Sequence, residues 1–169
     1  MNRIATIFLF ALLIGLIALN VYERRPRRVS IESTLGLLPL GSEVPTLVLV
    51  TVVEDTIRVP TETEALLSFF QTTCPACKGA ISSLREIQER DCLQMYMVTP
   101  EGLEAAEAFW DRWGWTPSCG QVVIGTSPTS LKPFGVTQVP TFYWVGRDTV
   151  KGSKVGGNLL ITDWRKSLQ

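Results

Sequence analysis

A continuous apolar run at residues 65–70 (ALLSFF) ends four positions before the quartet Cys74-Pro75-Ala76-Cys77. Six consecutive apolar or small residues of this kind suit a strand buried on both faces. Immediately beyond, Cys77, Ile81, Leu84 and Ile87 recur at steps of four, three and three, which is one face of a helix running from residue 75 to about residue 90. The chain therefore passes from a doubly covered strand straight into a helix, and this junction demands material on both sides of a sheet.

The rest of the chain keeps that alternation, and no internal repeat interrupts it. Residues 46–53 and 56–59 are rich in β-branched side chains and read as a hairpin across Glu54 and Asp55. Residues 93–98 form the next strand, and Thr99 with Pro100 reads as the N-cap and first turn of a helix that carries Leu103, Ala106, Trp110 and Trp113 on one side. A strand at 121–124, a short helix around 129–134 ending near Gly135, a hairpin of 141–145 with 149–155, and a closing helix at 162–168 complete the reading. The expected fold class is α/β, a central sheet flanked by helices.

The cysteine quartet carries the chemistry. With Cys74 at the N-cap and Cys77 three positions later, both sulfurs lie on one side of the first turn, near enough to alternate between dithiol and disulfide. The unpaired N–H groups and positive end of the helix favour a thiolate at Cys74, which makes it the attacking sulfur, and Cys77 on the inner face is the resolving thiol. Pro75 suits the first helical position, where its missing N–H has no partner to lose. A zinc knuckle would need more ligands than this chain offers, because it has no histidine and no second C-x-x-C. An inert bridge at this spacing would close only a four-residue loop and gain little from it. No metal and no cofactor are expected.

Cys92 and Cys119 stand 27 residues apart, each just ahead of a strand. If those strands are parallel neighbours, the two cysteines share the sheet end opposite to Cys74. A second, structural disulfide is then expected in an oxidising compartment, the alternative being two buried free thiols. Of the five tryptophans, Trp110 and Trp113 have helical spacing and read as core, whereas Trp115 in the loop at 114–117 is the one to test as a substrate surface.

Ahead of the folded portion, residues 4–22 contain no charge over nineteen positions, close to the length that crosses a hydrocarbon core, and no small-residue cleavage pattern follows. The expected organisation is a transmembrane anchor at 1–22, a basic juxtamembrane linker at 23–44 and one domain at 45–169. From Val29 onward 11 cations face 15 anions, a net charge of −4 that offers no basic stripe and argues against a nucleic-acid partner.

The segment SFFQTTCPACKGAISSLREIQ, followed about sixty residues later by FGVTQVPTFYWVGRD, resembles the thioredoxin-like fold, in particular the membrane-anchored extracytoplasmic thiol–disulfide oxidoreductases around TlpA and ResA. The span, the basic stretch and GSEVPTL further look like MauD-type proteins, accessory to methylamine dehydrogenase maturation. The resemblance covers about residues 41–169. It implies that Pro140 is a cis-proline facing the cysteine pair, that Val139 lends backbone hydrogen bonds to a bound substrate strand, and that the partners are protein thiol or disulfide clients together with a membrane or soluble redox donor. Thr73, Ala80 and Ser68 depart from the family's tryptophan, glutamate and buried aspartate, so the resemblance names no acid–base group, and Lys78 reads as a residue of the helix's wet side.

Four arginines after the span against Arg3 before it favour a cytoplasmic domain. An even set of four cysteines and the resemblance favour the other side. The expectation is a single-pass protein of the cytoplasmic membrane with residues 23–169 on the extracytoplasmic side.

Overall fold

The computed structural model describes residues 36–52, 55–59 and 63–157. The expected span at 4–22, the arginine-rich start of the linker and the closing helix at 162–168 lie outside the described residues, among which no helix is long and apolar enough to cross a membrane. Among the described residues, seven strands and two helices follow in the order β1 (Leu47–Thr51), β2 (Thr56–Val59), β3 (Ala65–Phe69), α1 (Pro75–Asp91), β4 (Gln94–Thr99), α2 (Leu103–Trp113), β5 (Gln121–Thr126), β6 (Thr141–Gly146) and β7 (Thr149–Val155). They build one sheet with the spatial order β2-β1-β5-β4-β3-β6-β7.

The inner strands β3, β4 and β5 run parallel, and β6 lies antiparallel to β3 on its other edge. Every residue of β3 is buried. On one face Leu66 and Phe70 join Met95, Met97, Cys77, Leu84 and Phe109, so α1 and α2 cover the same side of the sheet. Both helices are crossovers between parallel strands stepping in one direction, and a common handedness puts both on one face. On the other face Leu67, Phe69, Tyr96, Val98 and Tyr143 meet Leu37, Val44, Phe134 and Val136.

Among the described residues, that second face is covered by irregular chain. The Tyr143 hydroxyl donates to the Phe134 carbonyl at 2.5 Å and accepts the Leu38 N–H at 3.1 Å, tying both covering segments to β6. Residues 36–44, assigned by composition to the linker, thus belong to the fold. Gly41 N–H donates to Val150 O and Val44 N–H to Asp148 O, each at 2.8 Å, and Leu37 and Val44 are buried. Prolines, glycines and short runs hide this from a periodicity argument, because such a segment docks through its backbone. The expected helix at 129–134 is a series of turns instead, closed by Ser130 N–H to Ser127 O and Gly135 N–H to Lys132 O, both at 3.0 Å. Gly135 has φ +64, and a Cβ there would overlap the Gly36 carbonyl oxygen, so the turn and the linker end interlock at a point only glycine fits.

The helix starts also differ in detail. Thr99 is the last residue of β4 rather than a cap, and α2 starts after Gly102 without a side-chain cap. On α2 the buried residues are Ala106 and Phe109, while Trp113 is 36% exposed, which corrects its assignment to the core. The stripe is set by Ala106, Phe109 and Trp110, and Trp113 falls at the helix end beyond the sheet's cover.

At the sheet end where β4 and β5 begin, Cys92 and Cys119 are bridged, with Cα atoms 5.1 Å apart. Trp115 is buried there, its ring 5.4 Å from Trp110, so it is not available as a substrate surface. The fully buried Gln88 links these parts. Its Nε2 donates to the Cys119 and Leu93 carbonyls, and its Oε1 faces Trp115 Nε1 at 3.5 Å. The double variant Cys92→Ser, Cys119→Ser should lose about 3 kcal/mol of stability through the reopened loop, measured as a lower urea midpoint of the full chain by tryptophan fluorescence.

Candidate functional site

The parallel strands carry their carboxyl ends to one edge of the sheet, the usual location of sites in such layered folds. The turn after β3 emerges there. Cys74 N–H donates to Gln71 O at 3.1 Å, closing a turn that leaves Cys74 with extended backbone (φ −74, ψ 115) as the N-cap of α1. Its Sγ accepts the Cys77 N–H at 3.1 Å. A cap of this kind satisfies one of the helix's free amide donors, and the sulfur occupies the place a serine or aspartate oxygen usually fills. Pro75 takes the first helical position, and the first turn holds no acidic residue to oppose a negative sulfur.

The two sulfurs form a disulfide with Cα atoms 5.2 Å apart. Their surroundings are unequal. Cys77 is 2% exposed and sits in the cluster of Leu66, Phe70, Ala80 and Ile81, whereas Cys74 is half-buried at the rim of that cluster. Attack from outside therefore has access to Cys74 and not to Cys77.

The facing wall is supplied by the register of the sheet. Phe69 of β3 pairs with Thr141 of β6, so the residues just ahead of β6 stand beside the turn that follows β3. The Val139–Pro140 peptide is cis, and the Val139 carbonyl oxygen lies 3.8 Å from Cys74 Sγ. In the bridged form that sulfur carries no proton, so the approach is a contact. Pro140 O accepts the Gly156 N–H at 2.9 Å, and Gly157 lies so close to the turn that a Cβ would stand 2.9 Å from the Ala76 carbonyl oxygen. The loop at 139–140 and the end of β7 thus flank the cysteine pair together.

Other candidate positions fall as follows. Lys78 is half-buried one residue beyond Cys77, Thr73 is exposed and Ala80 is fully buried against the core. Ser68 is 1% exposed, on the face of β3 that also presents Leu66 and Phe70, and its hydroxyl has no hydrogen-bond partner among the described residues. Sequence reasoning missed Glu101, whose carboxylate accepts the Thr72 N–H at 2.7 Å, and Gly157. Neither has a spacing that links it to Cys74, because their proximity is created by strand order.

Solved structures with the same arrangement are numerous in kind but distant in sequence. The chain is similar to a putative thiol:disulfide interchange protein DsbE from Chlorobium tepidum (16% identity, 78% of this chain and 96% of that one, TM-score 0.64). It is also similar to a thio-disulfide isomerase from Thermus thermophilus (15%, 78% and 95%, TM-score 0.62) and to StoA from Bacillus subtilis (16%, 76% and 100%, TM-score 0.58). No protein-family model matches the sequence, and a search of curated proteins finds no relative for it. At these identities the likeness establishes the fold, a thioredoxin-like mixed sheet flanked by helices.

The orphaned Ser68 hydroxyl generates a prediction. A buried hydroxyl without a partner is a net cost to folding, so Ser68→Ala should leave stability unchanged or raise it by about 1 kcal/mol. A loss in urea unfolding would show that the hydroxyl is engaged in the fold.

Proposed function

We propose that this chain is a membrane-tethered thiol–disulfide oxidoreductase acting on protein disulfides through Cys74 and Cys77. The observation that carries the reading is the bridge itself, with the accessible sulfur at a helix N-terminus and the second buried one turn on. Supporting it, the similar structures from Chlorobium tepidum and Thermus thermophilus are described as an interchange protein and an isomerase.

In the reducing direction, the Cys74 thiolate attacks one sulfur of a client disulfide, forming a mixed disulfide and expelling the other client sulfur as a thiolate. Cys77 then loses its proton to solvent and attacks Cys74 Sγ, expelling the second client thiolate. The client gains two electrons and the pair becomes the disulfide, which a dithiol donor must reduce before the next turn. The oxidising direction is the same sequence reversed. Cys74 is favoured at the first step because the free amides of α1 stabilise its anion, and Cys77 is protected from outside attack by burial. Val139 and Pro140 are the client-binding residues in this reading, which the 3.8 Å approach of the Val139 carbonyl to Cys74 Sγ supports. Cys92 and Cys119 serve the fold alone.

Residues 4–22 anchor the protein in the cytoplasmic membrane, with the domain on the extracytoplasmic side, where both bridges persist. Within that setting the likeness of the basic stretch and GSEVPTL to MauD-type proteins supports a role in the maturation of one extracytoplasmic enzyme.

Cys74→Ser should lower disulfide exchange in an insulin-reduction or glutathione-coupled assay by roughly two orders of magnitude or more. Cys77→Ser should accumulate mixed disulfides at Cys74, visible as reducible adducts on gels. Full turnover by Cys74→Ser would remove Cys74 from the reaction, and partner binding without turnover by either chain would replace the enzyme with a non-enzymatic assembly factor that only holds its partner. For topology, a membrane-impermeant thiol reagent added to intact cells after mild reduction should label Cys74, whereas labelling only after lysis would place the domain in the cytoplasm.

A further inference from the structure

Beside the bridge, one side chain ties the redox turn to the ends of β4 and β5. Glu101 follows β4, and its Oε2 accepts both the Thr72 N–H at 2.7 Å and the Thr99 hydroxyl at 3.1 Å. The Glu101 N–H donates back to Thr99 Oγ1 at 3.2 Å, and the Thr126 hydroxyl at the end of β5 donates to the Glu101 carbonyl. Ser127 N–H to Thr99 O, at 3.0 Å, locks the two strand ends beneath it. The carboxylate is therefore held from the sheet side, and among the described residues its attachment away from the sheet is to Thr72, two residues ahead of Cys74.

Thr72 lies inside the turn that Cys74 N–H closes onto Gln71 O. Without an acceptor its N–H would be a half-buried unpaired donor, and the turn would have no tie to the rigid ends of β4 and β5. Resting on the exchange reading above, we propose that Glu101 is the positioning residue for Cys74, fixing through Thr72 where the attacking sulfur stands and keeping a negative charge close to it. Among the described residues around the turn, the other charges on the packed elements are Lys78 in the first turn of α1 and Glu104 in the first turn of α2. Segments 127–130, 137–141 and 156–157 carry none.

Two effects separate position from charge. Glutamine at 101 keeps an oxygen for the Thr72 N–H and removes the charge, and alanine removes both. The test is the pH profile of iodoacetamide alkylation of Cys74 in the full chain after mild reduction, together with the rate of exchange with oxidised glutathione. Glu101→Gln should shift the alkylation midpoint down by roughly half a pH unit, about threefold more thiolate below the midpoint, with exchange at or above the wild-type rate. Glu101→Ala should share the lowered midpoint and lose about tenfold in exchange, because the sulfur is no longer held. If the alanine variant fails to fold, the glutamine variant decides through its midpoint. A midpoint in Glu101→Gln equal to or above wild type, or wild-type exchange in a folded Glu101→Ala, would overturn the proposal. A wild-type chain that exchanges nothing would overturn the function reading instead, and the alkylation profiles would still judge Glu101.

Discussion

The domain is organised around β3, a strand without an exposed residue on either face. Burying five residues from both sides requires a neighbour on each edge and a cover on each face, and β4, β6, the two helices and the irregular segments 36–44 and 130–136 meet those four demands. The same pairing decides where chemistry occurs. Because β6 runs antiparallel to β3, the chain ahead of β6 arrives where the chain after β3 departs, and two loops distant in sequence face each other across a few ångströms.

The elements with strong periodicity were readable before any coordinates: the hairpin of β1 and β2, the buried run of β3, the stripe of Cys77, Ile81, Leu84 and Ile87 on α1, and the hairpin of β6 and β7. The misread parts share a physical cause. Residues 36–44 and 129–134 are held by backbone hydrogen bonds and single anchors such as Tyr143, which leave no repeating pattern of side chains. Trp115 is buried although it sits in a loop, because Gln88 and Trp110 reach it from two helices. Gln88 itself continues the stripe of α1 one turn past Leu84, where a polar residue on an apolar face was an available sign of a buried anchor.

Within the site, the cysteine spacing and Pro75 pointed to the N-cap geometry, since local chain rules govern it. Glu101 was not accessible to that reasoning. Thr99-Pro100-Glu101 resembles a helix start, and only the adjacency of β3 and β4 turns the same residues into the support of a distant turn. Local rules find the sulfurs, and strand order finds what holds them.

Helix α1 has a disulfide cysteine at either limit, Cys74 as its N-cap and Cys92 as its C-cap. Its 17 residues make a rod of about 25 Å, far beyond the reach of sulfur to sulfur. Native-state scrambling among the four cysteines is thereby barred, since no thiolate released at one end can attack the bridge at the other. The two couples behave as independent electrodes. A protein whose proposed work is thiol–disulfide exchange with other proteins thus keeps its own brace out of range of its own nucleophile, and the separation is enforced by the stiffness of one helix.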